Sequence, residues 1–453
     1  MSSADISSLR QNLPAEVDVL TEPEAMAPFL RDSAQVPDSV ETEMPAAVIV
    51  PRSTEHVSTI LAFAHEHEMP VSIWSAGTGL AGGALPYEGG LVIAMHKMNR
   101  ILGIDADARL AVVEAGVIVE DLDAEARTHG LFYAPDPASS SRATVGGTIA
   151  TNAGGLRCIA YGTTADHVAA LTVVLADGSV IRTGGRTIKN ATGLNLTQLF
   201  VGSEGTLGVI TEATVWLTPV PQGEPETFLA SFDDIEDAGR AVVKMVRSSA
   251  DLEVLELLDA TVVRWVEEDN QAGFPLPQAA LIIGMAVGEN AHRSIDIACE
   301  CAEQEGAQEV RRQPGDGLMA ARKLSLPALQ KRAVWVQGDT GVPVPRLPEL
   351  ISRIEQIAAE EKHQVRIVAH VGDGNLHPMI EVVDGDWETA QHVTDRITAA
   401  AIELEGVISG EHGIGIYKHH ELPMQFDEAT MAAQHAVKKA LDPKGILSPG
   451  RAI

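Results

Sequence analysis

Cysteine is scarce in this sequence of 453 residues, which contains only Cys158, Cys299 and Cys301. An odd and sparse set of thiols does not make a disulfide framework, and it is typical of a protein from a reducing compartment. The set is also too small for an iron–sulfur cluster, which normally takes four thiolates. The cysteine count therefore excludes a disulfide-stabilised fold and a resident cluster.

Basic residues are outnumbered by acidic ones. Lys and Arg total 33, Asp and Glu total 63, and the formal net charge is −30. Nucleic acids and anionic membranes bind basic surfaces, so this balance argues against both as partners.

Aromatic residues make up only 4% of the chain, and the core must therefore be aliphatic.

Long apolar runs are absent as well. The longest, at 168–176, is well short of the ~20 residues that span a bilayer. The N-terminal stretch MSSADISSLRQNLPAEVDVL has neither the basic nor the apolar region of a signal peptide. We therefore expect a cytoplasmic protein without a transmembrane segment, which reaches a membrane only through a partner.

Shifts in composition divide the chain into four segments. We expect residues 1–45 to be a peripheral and largely helical segment. Residues 46–219 and 220–420 then form two α+β domains, with the turn-rich stretch PQGEPE at 221–226 at their boundary. Residues 421–453 contain an amphipathic helix at 427–441 and a tail rich in turn residues.

The hydrophobic periodicity predicts short strands alternating with helices. Helices are expected after the N-cap residue Ser53, at 235–246 and at 291–304. Asp177-Gly178 lies between two apolar runs and predicts a hairpin turn. The predicted strands lie at 46–50, 71–74, 91–95, 110–114, 171–175, 180–183, 208–217 and 281–287.

A glycine-rich motif, Ser-Ala-Gly-Thr-Gly-Leu at 75–80, follows the strand predicted at 71–74. Glycines permit positive φ and a close approach of the backbone, and successive amides in such a turn suit a diphosphate. The motif is neither a Walker loop nor a Rossmann fingerprint, because no Gly-Lys-Ser/Thr follows and no long helix begins here. Taken alone, it is more often an ordinary glycine turn.

Small and hydroxyl-bearing residues recur in five further stretches. Such residues contribute little to a core, but their backbone and hydroxyl donors suit an extended polar ligand. Solenoid-like β-turns collect the same residue types and remain an alternative. The stretches are PDPASSS at 135–141, ATVGG at 143–147, NAGG at 152–155, YGT at 161–163 and GSEGTLG at 202–208.

With these motifs in this order, residues 46–218 resemble the FAD-binding domain of the vanillyl-alcohol-oxidase-type flavoproteins. The resemblance implies an α+β protein with a two-lobed FAD-binding domain, an α+β cap (substrate) domain and a C-terminal helix that returns to the FAD domain. It implies FAD contacts at Ser75, Ala76, Gly77, Thr78, Gly79, Leu80, Pro135, Asp136, Ser139, Thr144, Val145, Gly146, Gly147, Gly154, Gly155, Arg157, Tyr161, Gly162, Thr163, Glu204, Val209 and Ile210. Since the diphosphate loop has no His, and Cys158 is the only nearby thiol, we expect FAD to be bound non-covalently.

Two histidines flank a hairpin signal in the stretch 366–380. With Asp373-Gly374 as a two-residue turn, His370 and His377 become direct cross-strand partners, with Cβ atoms ~5 Å apart. That separation suits two imidazoles that bind one metal ion. Two solvated polar side chains are the alternative.

A second candidate motif is Ser-Gly-Glu-His-Gly-Ile-Gly at 409–415. Glu411 would complete a His/His/Glu metal site with a position open for substrate, and the adjacent His412 would act as a base. Without the histidine hairpin, the same motif predicts only a helix cap or a surface loop.

HxGDGNLHP at 370–378 and SGEHGIG at 409–415 resemble the signatures of the subgroup that oxidises D-2-hydroxy acids, such as D-lactate, D-2-hydroxyglutarate and glycolate. The resemblance implies that His370, His377 and Glu411 bind Zn or Mn. It also implies that His412 is the catalytic base and that Asn375 contacts substrate or flavin. Arg322 matches the arginine that binds the substrate carboxylate, although it is equally compatible with a helix surface.

The resemblance predicts FAD-dependent oxidation of a D-2-hydroxy acid to the 2-oxo acid. His412 removes the hydroxyl proton, the hydride passes to flavin N5, and the metal orients the substrate. Gln337 stands where relatives that act on a longer dicarboxylate have a lysine. This difference favours D-lactate or glycolate over D-2-hydroxyglutarate, which remains the alternative substrate.

The expected electron acceptor is a quinone, a cytochrome or a separate iron–sulfur protein, because the chain has no cluster of its own. A homodimer is one option for the assembly. Two other classes of protein remain open: a metal-dependent hydrolase built on the histidines, and an FAD-binding electron-transfer subunit without its own substrate site.

Overall fold

Three large β-sheets organise the computed structural model, which describes residues 3–37 and 43–453. The first two sheets lie in the N-terminal part of the chain and the third lies in the C-terminal part. Helices pack on the first and third sheets, as expected for an α+β protein. None of the helices in the described residues combines the length and the apolar character needed to cross a membrane.

The first sheet has the strand order β1-β2-β4-β3. Strands β2, β4 and β3 are parallel, and β1 pairs antiparallel with β2. Ser53 begins the crossover helix α3 as its N-cap, and its hydroxyl accepts a hydrogen bond from the His56 amide. The elements are α1 (Ser3–Asn12), β1 (Asp18–Leu20), α2 (Pro23–Met26), β2 (Ala47–Val50), α3 (Thr54–Glu66), β3 (Val71–Trp74) and β4 (Leu91–Ala94).

The N-terminal segment therefore contains more than the helix predicted for it. Its strand β1 extends the first sheet, and Leu9 and Val19 are buried in the core beneath that sheet. Residues 38–42 of this segment lie outside the described part of the chain.

The second sheet is antiparallel, in the order β5-β6-β10-β8-β9. The hairpin predicted at Asp177-Gly178 is confirmed, with Val174 opposite Val180 and Gly178 at a φ of +86°. The elements of this region are β5 (Ile101–Asp105), β6 (Leu110–Glu114), α4 (Val119–Arg127), β7 (Leu131–Phe132), α5 (Val145–Thr151), α6 (Cys158–Tyr161), β8 (Val168–Val174), β9 (Val180–Gly184), α7 (Leu196–Phe200), β10 (Val209–Trp216) and β11 (Thr218–Pro219).

The third sheet has the order β15-β12-β14-β13-β18-β19-β16, and β17 also pairs with β19. Helices α8, α10, α13 and α14 cover one face, while α9, α11 and α12 cover the other. The strands are β12 (Glu226–Phe232), β13 (Val254–Asp259), β14 (Ala280–Ala286), β15 (Glu309–Pro314), β16 (Trp335–Gln337), β17 (Thr340–Gly341), β18 (Val365–His370) and β19 (Asn375–Glu381). The helices are α8 (Ile235–Arg247), α9 (Ala260–Asn270), α10 (Ala291–Gln304), α11 (Gly317–Arg322), α12 (Ser325–Gln330), α13 (Leu347–Glu361) and α14 (Trp387–Glu403).

The C-terminal segment returns to the first sheet. It contains α15 (Leu422–Gln425) and α16 (Glu428–Leu441), and the Asp427 side chain caps α16 by accepting from the Thr430 amide. After α16, the Val71 amide donates to Ile446 O at 2.8 Å, and the Ser448 amide donates to Val71 O at 2.9 Å. The N-terminal strand β1 and the C-terminal segment therefore join opposite edges of one sheet.

The predicted register of the histidine hairpin is wrong. His370 pairs with Asn375, and His377 pairs with Val368, so the loop between the strands has four residues instead of two. A two-residue turn would need the amides of Gly372 and Asn375, but the Gly372 amide donates to Leu255 O of β13 at 3.2 Å and the Asn375 amide donates to Asp373 Oδ1 at 3.1 Å. His370, Asn375 and His377 nevertheless share one face of the sheet, because side chains two residues apart on a strand point the same way.

Candidate active site

His370, His377 and Glu411 come together on the face of the third sheet. The two imidazole centroids are 5.0 Å apart. Glu411 Oε1 lies 3.1 Å from His377 Nε2 and 3.5 Å from His370 Nε2. One ligand atom from each residue lies within 4.8 Å of the others, so the side chains predicted to bind a metal converge on one point.

The remaining ring nitrogen of each histidine faces an oxygen acceptor. Glu256 Oε1 lies 2.7 Å from His370 Nδ1. His377 Nδ1 lies 3.4 Å from Gly338 O and 3.7 Å from Asp339 Oδ1. Metal-binding histidines commonly use one nitrogen for such an acceptor and the other for the ion, so the donor set fits a divalent metal.

The electrostatics of this cluster also favour a bound cation. Burial opposes a charge on His370, but the Glu256 carboxylate outweighs it and, with Glu411, holds the pKa of the imidazole well above its usual value. Burial alone would raise the pKa of Glu411, yet hydrogen bonds from His370 and His377 hold that pKa below its usual range. Two buried carboxylates thus attract positive charge between the rings, which a divalent metal would supply.

His412 lies beside this cluster, with its side chain 7% exposed. Its ring stacks on His377, with centroids 4.9 Å apart and an interplanar angle of 9°. Burial lowers its pKa to about 4, although Asp339 opposes the shift. The imidazole is therefore neutral near pH 7 and able to accept a proton.

Asp339 fixes the loop that carries Glu411 and His412. Its Oδ2 accepts from the Ser409 hydroxyl at 2.6 Å, the Glu411 amide at 3.0 Å and the His412 amide at 2.8 Å. Lys418 Nζ lies 3.6 Å from the same oxygen. One buried carboxylate therefore positions both functional residues of the loop through their backbone.

Arg322 is buried beside the cluster and does not lie on a helix surface. Its Nη2 lies 2.6 Å from Glu256 Oε2, and its Nη1 donates to Ser325 Oγ at 2.9 Å. Its Nε is buried without a hydrogen-bond partner among the described residues. Glu256 consequently links Arg322 to His370, and Arg322 keeps one donor for a ligand.

Asn375 faces the loop at 409–415. Its Oδ1 is buried and accepts no hydrogen bond from the described residues. The contact with Gly410 is close, since a Cβ atom added there would lie 2.4 Å from Asn375 Oδ1. The structure thus brings Asn375 together with the predicted metal ligands.

The glycine-rich loop at 75–80 has the geometry of an anion site. Ser33 holds its carbonyls, with the hydroxyl donating to Gly77 O and the amide to Gly79 O, both at 2.9 Å. None of the backbone amides of residues 76–80 donates a hydrogen bond to another described residue. Free amides around Gly77, at a φ of +65°, make an arrangement that suits an anion such as a diphosphate.

The stretch at 143–147 lies against this loop. The hydroxyls of Ser75 and Thr144 are 2.5 Å apart. Thr144 also caps α5 by accepting from the Gly147 amide at 3.2 Å. Two of the predicted cofactor motifs therefore adjoin each other in the structure.

The predicted cofactor motifs also reach the histidine cluster. A Cβ atom on Gly154 would lie 2.5 Å from Glu411 Oε2, and one on Gly155 would lie 2.5 Å from Asp136 O. Glu204 accepts from the amides of Ile414 and Gly415 at 2.7 and 2.8 Å. The region with the predicted cofactor motifs and the loop with Glu411 are thus in direct contact.

Other predicted cofactor residues have protein partners. Arg157 Nε lies 3.0 Å from Glu253 Oε1 and 3.6 Å from Asp136 Oδ2, and the Tyr161 hydroxyl donates to Glu253 at 3.4 Å. Thr163 forms a capping box with Asp166. The side chains of Val209 and Ile210 are buried in apolar clusters, which leaves only their backbone for a ligand.

Sequence reasoning missed Glu256 and Asp339. Glu256 is a charged residue with two apolar residues on either side of it in β13, and that contrast was its available signal. Asp339 lies two residues after Gln337, which was considered only for its lack of charge. Both residues act through tertiary contacts, which a sequence pattern does not reveal.

Two family descriptions match most of the chain. Residues 45–184 match the FAD binding domain, and residues 224–452 match the FAD linked oxidases, C-terminal domain. The glycine-rich motifs fall in the first region, and the histidine cluster falls in the second.

Curated relatives match over nearly the whole chain. The glycolate oxidase subunit GlcD of Bacillus subtilis is 38% identical over 90% of this chain and 89% of its own length. The D-lactate dehydrogenase of Archaeoglobus fulgidus is 38% identical, covering 90% of this chain and 91% of its own. The Escherichia coli GlcD subunit is 34% identical over 99% of this chain and 90% of its own.

Solved structures share the fold at low sequence identity. p-Cresol methylhydroxylase matches with a TM-score of 0.79 at 18% identity, covering 100% of this chain and 97% of its own. The 4-ethylphenol oxidase of Gulosibacter chungangensis matches with a TM-score of 0.78 at 19% identity, covering 100% and 98%. The fold is therefore that of the vanillyl-alcohol-oxidase type.

Proposed function

The chain belongs to the FAD-linked oxidases and is an FAD-dependent oxidoreductase, and from this premise we propose that it oxidises a D-2-hydroxy acid to the 2-oxo acid. One observation carries the proposal: Gly154 of the FAD-binding region lies against Glu411 of the histidine cluster. A redox cofactor bound along this region would therefore lie next to an acid–base site. Relatives named glycolate oxidase subunit and D-lactate dehydrogenase support the substrate class.

FAD would lie along the free amides of residues 76–80 and the glycines at 146, 147, 154 and 155. When bound, FAD supplies a two-electron acceptor for the hydride from the substrate Cα. The protein residues around it bind and orient the cofactor. We expect the binding to be non-covalent.

His370, His377 and Glu411 would hold a divalent metal, Zn or Mn. The Glu411 carboxylate and two imidazoles leave further coordination positions for substrate oxygens. Such a metal would supply Lewis-acid chemistry that lowers the pKa of a hydroxyl group bound to it. Glu256 orients the His370 imidazole, and Gly338 O faces Nδ1 of His377.

His412 removes the substrate hydroxyl proton at a ring nitrogen. Its low pKa keeps the ring neutral, and the stacking on His377 fixes the ring next to the metal ligands. Arg322 binds the substrate carboxylate through its unpartnered Nε, a charge-assisted contact. Asn375 supplies an amide for substrate or flavin.

D-lactate and glycolate are the favoured substrates, because Gln337 carries no charge for a second carboxylate. D-2-hydroxyglutarate is the alternative within the same class. An electron-transfer subunit without a substrate site has no use for the buried cluster around His370, and a hydrolase has none for the FAD domain. A quinone, a cytochrome or a separate iron–sulfur protein would accept the electrons.

The proposal is tested by an anaerobic absorbance spectrum of the FAD-loaded protein before and after each of D-lactate, L-lactate, glycolate and D-2-hydroxyglutarate. We expect D-lactate or glycolate to bleach the flavin and L-lactate to leave it oxidised. Bleaching by D-2-hydroxyglutarate alone would replace the favoured substrates by the alternative. A flavin bleached by none of the acids would contradict the proposed activity.

A further inference from the structure

A second group of potential metal ligands lies outside the candidate active site. Asp395 on α14, together with His420 and Glu421 in the turn before α15, brings one imidazole and two carboxylates together. One ligand atom of each lies within 4.8 Å of the others. His420 Nε2 is 3.2 Å from Asp395 Oδ1, which also accepts from the Gln391 amide group at 2.8 Å.

Glu421 makes this group more than a surface cluster. The residue is 1% exposed, and no group of the described residues donates a hydrogen bond to either of its carboxylate oxygens. An unpaired buried carboxylate is costly, because burial removes its hydration without replacing it. The Glu421 and Asp395 carboxyl groups lie within hydrogen-bonding reach of each other, so a shared proton or a bound cation would relieve their repulsion.

No described side chain forms an ion pair with Glu421. Lys418 and His420 lie near enough to attract its charge, but Lys418 Nζ donates to Asp339 O at 3.3 Å and to Ile408 O at 3.4 Å. His420 faces Asp395 instead. The buried carboxylate thus lacks a cation and lies beside two other ligand-type side chains.

We propose that Asp395, His420 and Glu421 form a second divalent-cation site, suited to Zn²⁺ or Mn²⁺ and separate from the His370, His377 and Glu411 cluster. One imidazole with two carboxylates is a ligand set that these ions accept, with water in the remaining positions. Ligand atoms of one tetrahedral Zn²⁺ lie roughly 3.3 Å apart, so only small side-chain movements are needed.

The position of this second site gives it a structural role. Asp395 belongs to α14, while His420 and Glu421 follow Lys418, which contacts Asp339 behind the loop with His412. An ion here would fasten that segment to α14. The inference is independent of the proposed substrate and reaction.

A His420–Asp395 ion pair without metal is the simpler explanation. Such a half-exposed pair contributes little and leaves Glu421 unpaired. The same helix offers a matched control, since His392 Nε2 lies 3.6 Å from Glu361 Oε1 with the imidazole 61% exposed. Glu361 is already paired with Arg396, so this second His–carboxylate pair lacks an unpaired carboxylate.

The test is the Zn²⁺ content per chain of the FAD-loaded protein, stripped with chelator, reloaded with Zn²⁺ alone and desalted. We expect two ions in the wild type and in His392→Ala, and one in His420→Ala. Glu411→Gln isolates the second site, so it should keep one ion, and Glu411→Gln combined with His420→Ala should keep none. An unchanged content in His420→Ala, or an equal loss in His392→Ala, would overturn the proposal.

Thermal unfolding in the Glu411→Gln background gives a second readout. Zn²⁺ should raise the Tm of that variant, and adding Glu421→Gln should abolish the shift while leaving the protein folded. If the wild type held one Zn²⁺ ion per chain and the Glu411→Gln variant held none, only the second site would be overturned. A metal-free wild type would overturn both metal sites.

Discussion

Gly154 lies so close to Glu411 that a Cβ atom on the glycine would fall 2.5 Å from Glu411 Oε2. The two residues are far apart in the sequence and belong to the two regions that match different family descriptions. This contact is where the FAD-binding region meets the histidine cluster. The absence of a side chain at residue 154 is therefore a condition for the arrangement of the active site.

Gly154→Ala should consequently displace the Glu411 carboxylate. We expect kcat/KM to fall about 10²-fold, because small misplacements of catalytic groups cost that much, and we expect weaker Zn²⁺ binding. Gly103→Ala is the control, since a Cβ atom there meets open space. If Gly154→Ala and Gly103→Ala both had the activity of the wild type, the contact with Gly154 would not constrain Glu411.

Glu256→Gln should weaken metal binding at His370. The glutamine amide can still accept a hydrogen bond from His370. The substitution removes the negative charge that orients the imidazole and pairs with Arg322. Loss of such a supporting carboxylate typically costs about 10–100-fold in metal affinity. Zn²⁺ titration of the FAD-loaded variant measures this loss.

Glu268→Gln provides a matched control for that experiment. Glu268 pairs with Arg332 at 3.0 Å with its side chain 56% exposed, and Arg332 keeps Asp269 as a second partner. The metal affinity of the Glu268→Gln variant should match that of the wild type. An equal affinity in Glu256→Gln would contradict the supporting role of Glu256.

His412→Ala should leave FAD bound and slow flavin reduction by about 10²–10⁴-fold, the usual contribution of a general base. Stopped-flow absorbance under anaerobic conditions measures the rate, and the flavin content of the purified variant serves as the control for folding. Reduction at the wild-type rate would remove His412 from the role of base.

The low pKa of His412 sets the acid side of the pH profile. Burial disfavours the charged imidazole, so the base is lost only as the pH falls through about 4. A bound divalent cation would keep that pKa low. We expect kcat/KM to show no loss of activity from histidine protonation between about pH 5 and 8. Circular dichroism at each pH confirms that the protein stays folded. A loss of kcat/KM with a pKa near 6.5 would contradict the role of His412 as the base.

The sequence predicted the local elements of this site well. The glycine loop after β3, the Ser53 cap and the helix ending at Leu441 depend on short-range chemistry, and the structure contains all three. His370 and His377 also share a face, as predicted, because the observed register differs from the predicted one by two residues and a shift of two keeps every side chain on its face.

The remaining features depend on contacts between distant segments. The hairpin register follows from the hydrogen bond between the Gly372 amide and Leu255 O. The burial of Arg322 follows from its pairing with Glu256, and the position of His412 follows from Asp339. Each of these pairs is brought together only when the third sheet forms, so no local pattern specifies it.

We propose that one site combines flavin with a metal held by His370, His377 and Glu411. The most direct measurement is the anaerobic rate of flavin reduction by the preferred hydroxy acid in three samples: native, chelator-stripped and reloaded with Zn²⁺ or Mn²⁺, all with equal FAD content. We predict that stripping abolishes reduction and that one of the two ions restores it. Reduction of the stripped, FAD-replete protein at the native rate would contradict the claim.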